Sequence, residues 1–233
     1  MDLSTILVIP DLQMPYEHVD TFSFLTEIKK QFKPTYVIQG GDLEDFHCFN
    51  FHGVDPSLPS AADELKLLRQ KVKRLAALFP AMQILDSNHG ALPKRKAKSV
   101  GIPDELLKDE RSILQAPSTW TWHKELVLKL PNGMRVKFVH NFSSNVLQSS
   151  KDQAMSLIQF HFHSKSELHW WSTGERMFFA STVGCLIDDE HRAFSYNKTQ
   201  AKRPVYTCMV IKNGIPIIIP MHVNSRKRWV GYI

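Results

Sequence analysis

The spacing of apolar residues changes along this chain, and each change marks an element. Residues 5–9 (TILVI) form an unbroken apolar run stopped by Pro10-Asp11, the pattern of a strand buried on both faces. Within 19–32, Phe22, Leu25, Ile28 and Phe32 recur at helical spacing. Residues 35–39 (TYVIQ) are again strand-like and run into Gly40-Gly41-Asp42. Over 61–79, Leu65, Leu68, Val72, Leu75 and Phe79 make one stripe with basic residues on the other face, which predicts the longest helix. Residues 82–86 (MQILD) predict a third strand, leading into Ser87-Asn88-His89-Gly90. Strand, helix and strand in alternation predict a parallel βαβ start.

The second half reads differently. Residues 125–130 and 134–139 flank Pro131-Asn132-Gly133, a hairpin signal, and Asn213-Gly214 marks another between strands at 205–211 and 215–219. A helix is predicted over 145–157, with strands at 158–163, 167–171 and 176–181. Parallel units followed by antiparallel hairpins imply an α/β fold with two sheets face to face and helices outside. No repeat, low-complexity tract or linker interrupts the pattern, so residues 1–233 are expected to form a single domain.

Composition narrows the setting. Hydrophobic residues make up 43% of the chain and charged residues 22%, which suits a packed core and excludes a disordered acidic chain. A net charge of +6 favours anionic partners. Cys48, Cys185 and Cys208 are odd in number and widely spaced, so neither a disulfide framework nor a thiolate zinc site is expected, and reduced thiols fit the cytoplasm. The opening run MDLSTILVIPD reads as a core strand and not as a signal peptide. No apolar run approaches the ~20 residues that cross a bilayer, so no membrane partner is expected.

The chemistry-bearing residues lie where strands end. Asp11 and Gln13 follow the first strand, Asp42 the second, and Asn88-His89 the third. His140 follows Val139, and His161 and His163 sit two apart at the end of a later strand, a spacing that places both on one strand face. In parallel sheets the carboxyl ends of strands converge on one edge, where ligands bind. Carboxylate, amide and imidazole together suit hard-to-borderline divalent ions.

In order and spacing the set resembles the calcineurin-like metallophosphoesterases, whose pattern is D-x-H, G-D-x-x-D/N, G-N-H-D/E, a His after a hydrophobic strand, and G-H-x-H. Here it reads Asp11-Leu12-Gln13, Gly41-Asp42-Leu43-Glu44-Asp45, Ser87-Asn88-His89-Gly90, Val139-His140 and Phe160-His161-Phe162-His163, over residues 5 to 165. The form Asp11-Leu12-Gln13-Met14-Pro15 is similar to phage-encoded members, which would place the protein in a host cytoplasm. The resemblance implies a four-layer α/β/β/α sandwich and two divalent ions. The first ion would be held by Asp11, Asp42 and His163, with Gln13 at the position of the usual His. The second would be held by Asp42, Asn88, His140 and His161. Asp42, Asn88 and His89 would be catalytic, His89 as proton donor to the leaving group. Gln13 offers an amide oxygen in place of imidazole, which favours Mn²⁺ or Mg²⁺ over Zn²⁺. Gly90 stands where an acid would orient His89, and Ser87 and Phe160 replace glycines.

Substrate signals are weaker. Asn88, His89, Lys94 and Arg95 are candidates for holding a phosphate, with Lys96 and Lys98 in the same basic loop. Trp120, Trp122, Trp170 and Trp171 could stack on bases, although alternating aromatic residues more often belong to the core. His47 and His52 could line the pocket or lie on the surface. Asp188-Asp189-Glu190-His191 has the look of a metal cluster and the composition of a solvated loop. The tail Arg226-Lys227-Arg228-Trp229 could bind phosphate or cap the fold. The expectation is a phosphomonoesterase acting on a nucleotide. The alternatives are a phosphodiesterase or nuclease on nucleic acid, and a non-catalytic metal-binding module.

Overall fold

A computed structural model describes residues 2–51, 57–191, 193 and 203–233. Strands β1 (Thr5–Ile9), β2 (Tyr36–Gln39), β3 (Met82–Leu85) and β4 (Trp120–His123) run parallel. They continue, on the far side of β1, into the antiparallel pair β10 (Thr207–Lys212) and β11 (Ile215–Pro220), giving the order β11-β10-β1-β2-β3-β4. The second sheet has the order β5-β6-β7-β9-β8. Its central strands β6 (Arg135–Val139), β7 (Ser156–Gln159) and β9 (Met177–Thr182) are parallel, and its edges β5 (Leu126–Lys129) and β8 (Glu167–Ser172) are antiparallel.

Alternation along β1 explains the layers. Leu7 and Ile9 face helices α1 (Thr21–Phe32) and α2 (Ala61–Leu78), joining Phe24, Ile28, Leu68 and Val72 in one core. Ile6 and Val8 face the other way and meet Val136, Phe138, Ile158 and Phe179 between the sheets. On the outer face of the second sheet, Val146 of α5 (Val146–Asp152) packs on Leu157 and Ala180. The result is the expected α/β/β/α arrangement of two mixed sheets flanked by helices. Phe138, Phe160 and Phe179 are wholly buried between the sheets, and cutting any of them to Ala costs roughly 3–5 kcal/mol. At the upper end of this seam the sheets nearly touch: a Cβ on Gly40 would lie 2.2 Å from the Phe160 ring.

Five elements depart from the sequence reading. The helix expected over 145–157 stops at Asp152, because Ala154 turns left-handed (φ 46°), and β7 starts at Ser156. β7 therefore ends at Gln159, so His161 and His163 lie in the loop beyond it and not on a strand face. The basic stretch after His89 is not a loop but a helix, α3 (Leu92–Ser99), started by Pro93 in its first turn. β4 and the short α4 (Glu110–Leu114) have no counterpart in the sequence reading.

Candidate metal centre

The carboxyl ends of β1, β2, β3, β6 and β7 meet at one edge, and the backbone holds them there. The N–H groups of Leu12 and Gln13 donate to the Asp42 carbonyl at 3.0 and 2.8 Å, lacing the first loop to the second. Gln13, Asp42 and His161 all adopt left-handed backbone (φ 45°, 48° and 69°) without being glycine, a cost of order 1–3 kcal/mol each that characterises functional loops. Gly41 has φ 91°, and a Cβ there would lie 2.6 Å from His140 Nδ1, so both its conformation and the space beside it require glycine.

Two groups of side chains result, both containing Asp42. Asp11, Asp42 and His163 present ligand atoms within 4.8 Å of one another, and so do Asp42, His140 and His161. His163 Nε2 lies 2.8 Å from Asp11 Oδ2. The Nδ1–H of His140 donates to the Gly40 carbonyl at 2.8 Å, which turns Nε2 toward Asp42 Oδ2 (3.3 Å) and Asn88 Oδ1 (2.9 Å). A backbone carbonyl that fixes the distal nitrogen is how metal-binding imidazoles are oriented. Burial would lower the His140 pKa, but the Asp42 charge and hydrogen bond outweigh it and raise it to about 9. Burial would likewise raise Asp42, yet the charges of His140 and His89 and their hydrogen bonds hold its carboxyl well below the usual range. Burial and the neighbouring His140 charge lower the His161 pKa.

These residues fit divalent ions. The donors are carboxylate, imidazole and amide, none of Asp11, Asp42 or His161 meets a Lys or Arg among the described residues, and Gln13 Oε1 is buried with no hydrogen-bond partner.

His89 is placed differently from the metal ligands. Its N–H donates to Asp42 Oδ1 at 3.0 Å, and its Nδ1 lies 2.7 Å from the Asp45 carbonyl and 3.2 Å from Asp45 Oδ1. Burial opposes its charge, but the Asp45 hydrogen bond and the Asp42 and Asp45 charges raise its pKa to about 10. Its Nε2 lies 3.0 Å from Gln13 Nε2. A protonated His89 has no lone pair for that amide N–H, so the orientation of the Gln13 amide and the protonation of His89 are tied together.

Asp45 thus supplies the acid that Gly90 lacks, a role the sequence reading did not assign to it. Glu64 of α2 fixes its loop, accepting from the N–H groups of His47 (2.8 Å) and Cys48 (3.2 Å). Gly90 is small for a reason of its own. A Cβ there would lie 2.7 Å from Glu44 Oε1 and 3.1 Å from Glu110 Oε2. Burial and the Glu110 charge push Glu44 well above the usual carboxyl range, and burial also raises Glu110, to which Trp122 Nε1 donates.

The remaining candidates scatter. Lys94 lines a hollow of about 320 Å³ with Asp86, Asp109 and Glu110, while Arg95 lies over the Phe51 ring, 5.2 Å from its centroid. Trp120 is core, its Nε1 bound to the Phe79 carbonyl. Trp171 stacks on Phe178 and binds Ser150, and Trp170 packs on Phe179. These three rings pack away from the ligand residues, and the fourth, Trp122, binds Glu110 beside Gly90. His47 is buried beside Asp45, 3.8 Å from Oδ2, not on the surface; His52 lies outside the described residues. Asp189 takes Tyr206 Oη and Lys227, so the acidic run at 188–191 is part of the scaffold. The tail caps the fold: Arg228 grips Asp20, and Trp229 packs edge-on against Phe24. Cys48, Cys185 and Cys208 are free thiols. No described helix is long and apolar enough to cross a membrane.

No protein-family model matches the chain, and no curated protein does. Among solved structures it is similar to Vps29 of Chaetomium thermophilum, at 12% identity over 97% of this chain and 91% of that one, with a TM-score of 0.48. It is also similar to YfcE, a phosphoesterase from E. coli, at 14% identity over 97% and 96%, TM-score 0.46. A third is the Pseudomonas putida nuclease MPE, at 11% identity over 91% and 86%, TM-score 0.39.

Proposed function

We propose that this protein is a metal-dependent hydrolase of phosphate esters. The observation that carries the reading is Asp42, one carboxylate shared by two ligand groups that otherwise use different residues. Asp11, Gln13 and His163 would complete one position, and Asn88, His140 and His161 the other. Mn²⁺ or Mg²⁺ suits the oxygen-rich first position. Two such ions, when bound, supply Lewis acidity and an activated water for in-line displacement at phosphorus.

The chain's own residues do the rest. The Asn88 amide and His89 lie beside the ligand groups, where they stabilise charge on the phosphoryl oxygens. His89 gives its Nε2 proton to the departing oxygen, and Asp45 holds Nδ1 so that the ring keeps its orientation. A module that merely held metal would have no use for His89, whose side chain is directed to Asp45 and Gln13 rather than to the Asp11 and Asp42 carboxylates. That favours an enzyme over a non-catalytic module. The substrate is a phosphorylated nucleotide or a nucleic acid.

The test is metal stoichiometry together with turnover. Purified protein stripped of metal should take up two Mn²⁺ per chain by calorimetry, and should then hydrolyse p-nitrophenyl phosphate or bis(p-nitrophenyl) phosphate. Full metal uptake with no hydrolysis of either ester would end the enzymatic reading.

A further inference from the structure

The metal edge is flanked on two sides by aromatic rings that carry cations. On the side of the first sheet, Phe51 is 49% exposed, with Arg95 5.2 Å and Lys96 4.9 Å from its ring centroid. Both cations belong to α3, which starts three residues after His89 and whose sequence LPKRKAKS holds four cations and no acid. Among the described residues, Arg95 and Lys96 meet that ring and no carboxylate. On the side of the second sheet, Phe162 sits between the ligands His161 and His163. It is half-buried, edge-on to His161 at 5.4 Å, with Lys165 Nζ 5.3 Å from its centroid. Asp42 lies between these two sides, at the end of β2 in the first sheet and facing His140 at the end of β6 in the second.

A partly exposed ring can stack on any base, and the cation over it offers an electrostatic partner to the attached phosphate. A mononucleotide has one base for two such rings. A strand has a base on either side of the phosphate being cut, so it can use both. A duplex hides its base faces in its own stack and could use neither. Building on the phosphoesterase reading of this site, we propose that its substrate is a single-stranded polynucleotide. Its backbone crosses the metal edge between Phe51, Arg95 and Lys96 on one side and Phe162 and Lys165 on the other. The reaction is hydrolysis of a phosphodiester: water adds to phosphorus, the P–O bond to one sugar breaks, and that oxygen leaves with a proton.

The probe is a fluorescent, phosphorothioate-linked dT 12-mer, which resists hydrolysis, titrated with Mn²⁺-loaded protein and read by anisotropy. Phe51→Ala and Phe162→Ala should each weaken binding roughly five- to 150-fold, as loss of one stacked base does. Phe51→Trp should restore it. Arg95→Ala with Lys96→Ala should reduce the slope of log K against log salt by about 1.4. Trp170→Ala, an exposed ring away from this edge, is the control and should bind as the parent does. The proposal is overturned if thymidine monophosphate or a duplex binds as tightly as the 12-mer, or if the Phe variants match the control. Hydrolysis of bis(p-nitrophenyl) phosphate without binding of the 12-mer defeats this substrate class alone. Binding of the 12-mer with no hydrolysis of any ester defeats the phosphoesterase reading instead.

Discussion

The metal edge and the carboxy-terminal latch both gather acidic side chains out of water, and they neutralise them in opposite ways. In the latch, Asp20 accepts two bonds from the Arg228 guanidinium (2.7 and 2.6 Å) and one from the Trp229 N–H (2.9 Å). Asp189 accepts from Tyr206 Oη at 2.7 Å and from Lys227 at 3.0 Å. Both of these carboxylates are answered by cations within the chain. At the metal edge, Asp11 and Asp42 meet imidazoles and backbone N–H groups, and the Gln13 amide oxygen meets nothing. Imidazoles release their protons to a metal, whereas guanidinium does not. Acidic groups with permanent cationic partners hold a fold together; those with exchangeable partners leave room for an ion.

The sharpest way to break this contrast is Asp42→Asn, which should abolish uptake of the second ion and bring turnover below detection. Two ions per chain in that variant would show that the carboxylate is not shared. His89→Ala should lower kcat by about 10²–10⁴ while calorimetry still finds two Mn²⁺; loss of metal would instead make His89 a ligand. Gln13→His should raise Zn²⁺ affinity at the first position more than Mn²⁺ affinity, since imidazole is the softer donor. An unchanged titration would put Gln13 outside the ligand shell.

The latch should respond least. Arg228 is more than half exposed, so Arg228→Ala should lower Tm only slightly and leave metal uptake as it was. Its pH dependence has a definite sign. The Arg228 hydrogen bond holds Asp20 below the ordinary aspartate pKa of 3.8. The contribution is therefore complete above that value and is lost as pH falls through the lowered one. Parent and variant melting curves should converge only in acid.

Much of the centre was legible because each ligand closes a strand. Asp11, Asp42, Asn88 and His140 follow apolar runs, and parallel strands can only deliver such residues to one edge. For His161 and His163 the expected strand face is absent, because β7 ends at Gln159. Both approach the carboxylates because the chain turns left-handed at His161, and not because a strand face carries them. Asp45 was hidden because its partner is 44 residues away and no local pattern links them. Glu110 was hidden for the same reason, which left Gly90 looking like a simple loss. α3 reads as a loop because only Leu92, of its eight residues, is buried. β4 escaped notice because WTWH is four residues long and has no turn signal of its own.

The close approach of Gly40 to Phe160 has one more consequence. Gly40 precedes the Asp42 loop in one sheet, and Phe160 precedes His161 in the other, so this contact sets the gauge between the two halves of the ligand cage. The ring occupies space that a methyl group at position 40 would claim. Neither position can drift alone: a larger residue at 40 is tolerated only beside a smaller one at 160. In descendants of this sequence, the two should change as a pair or not at all.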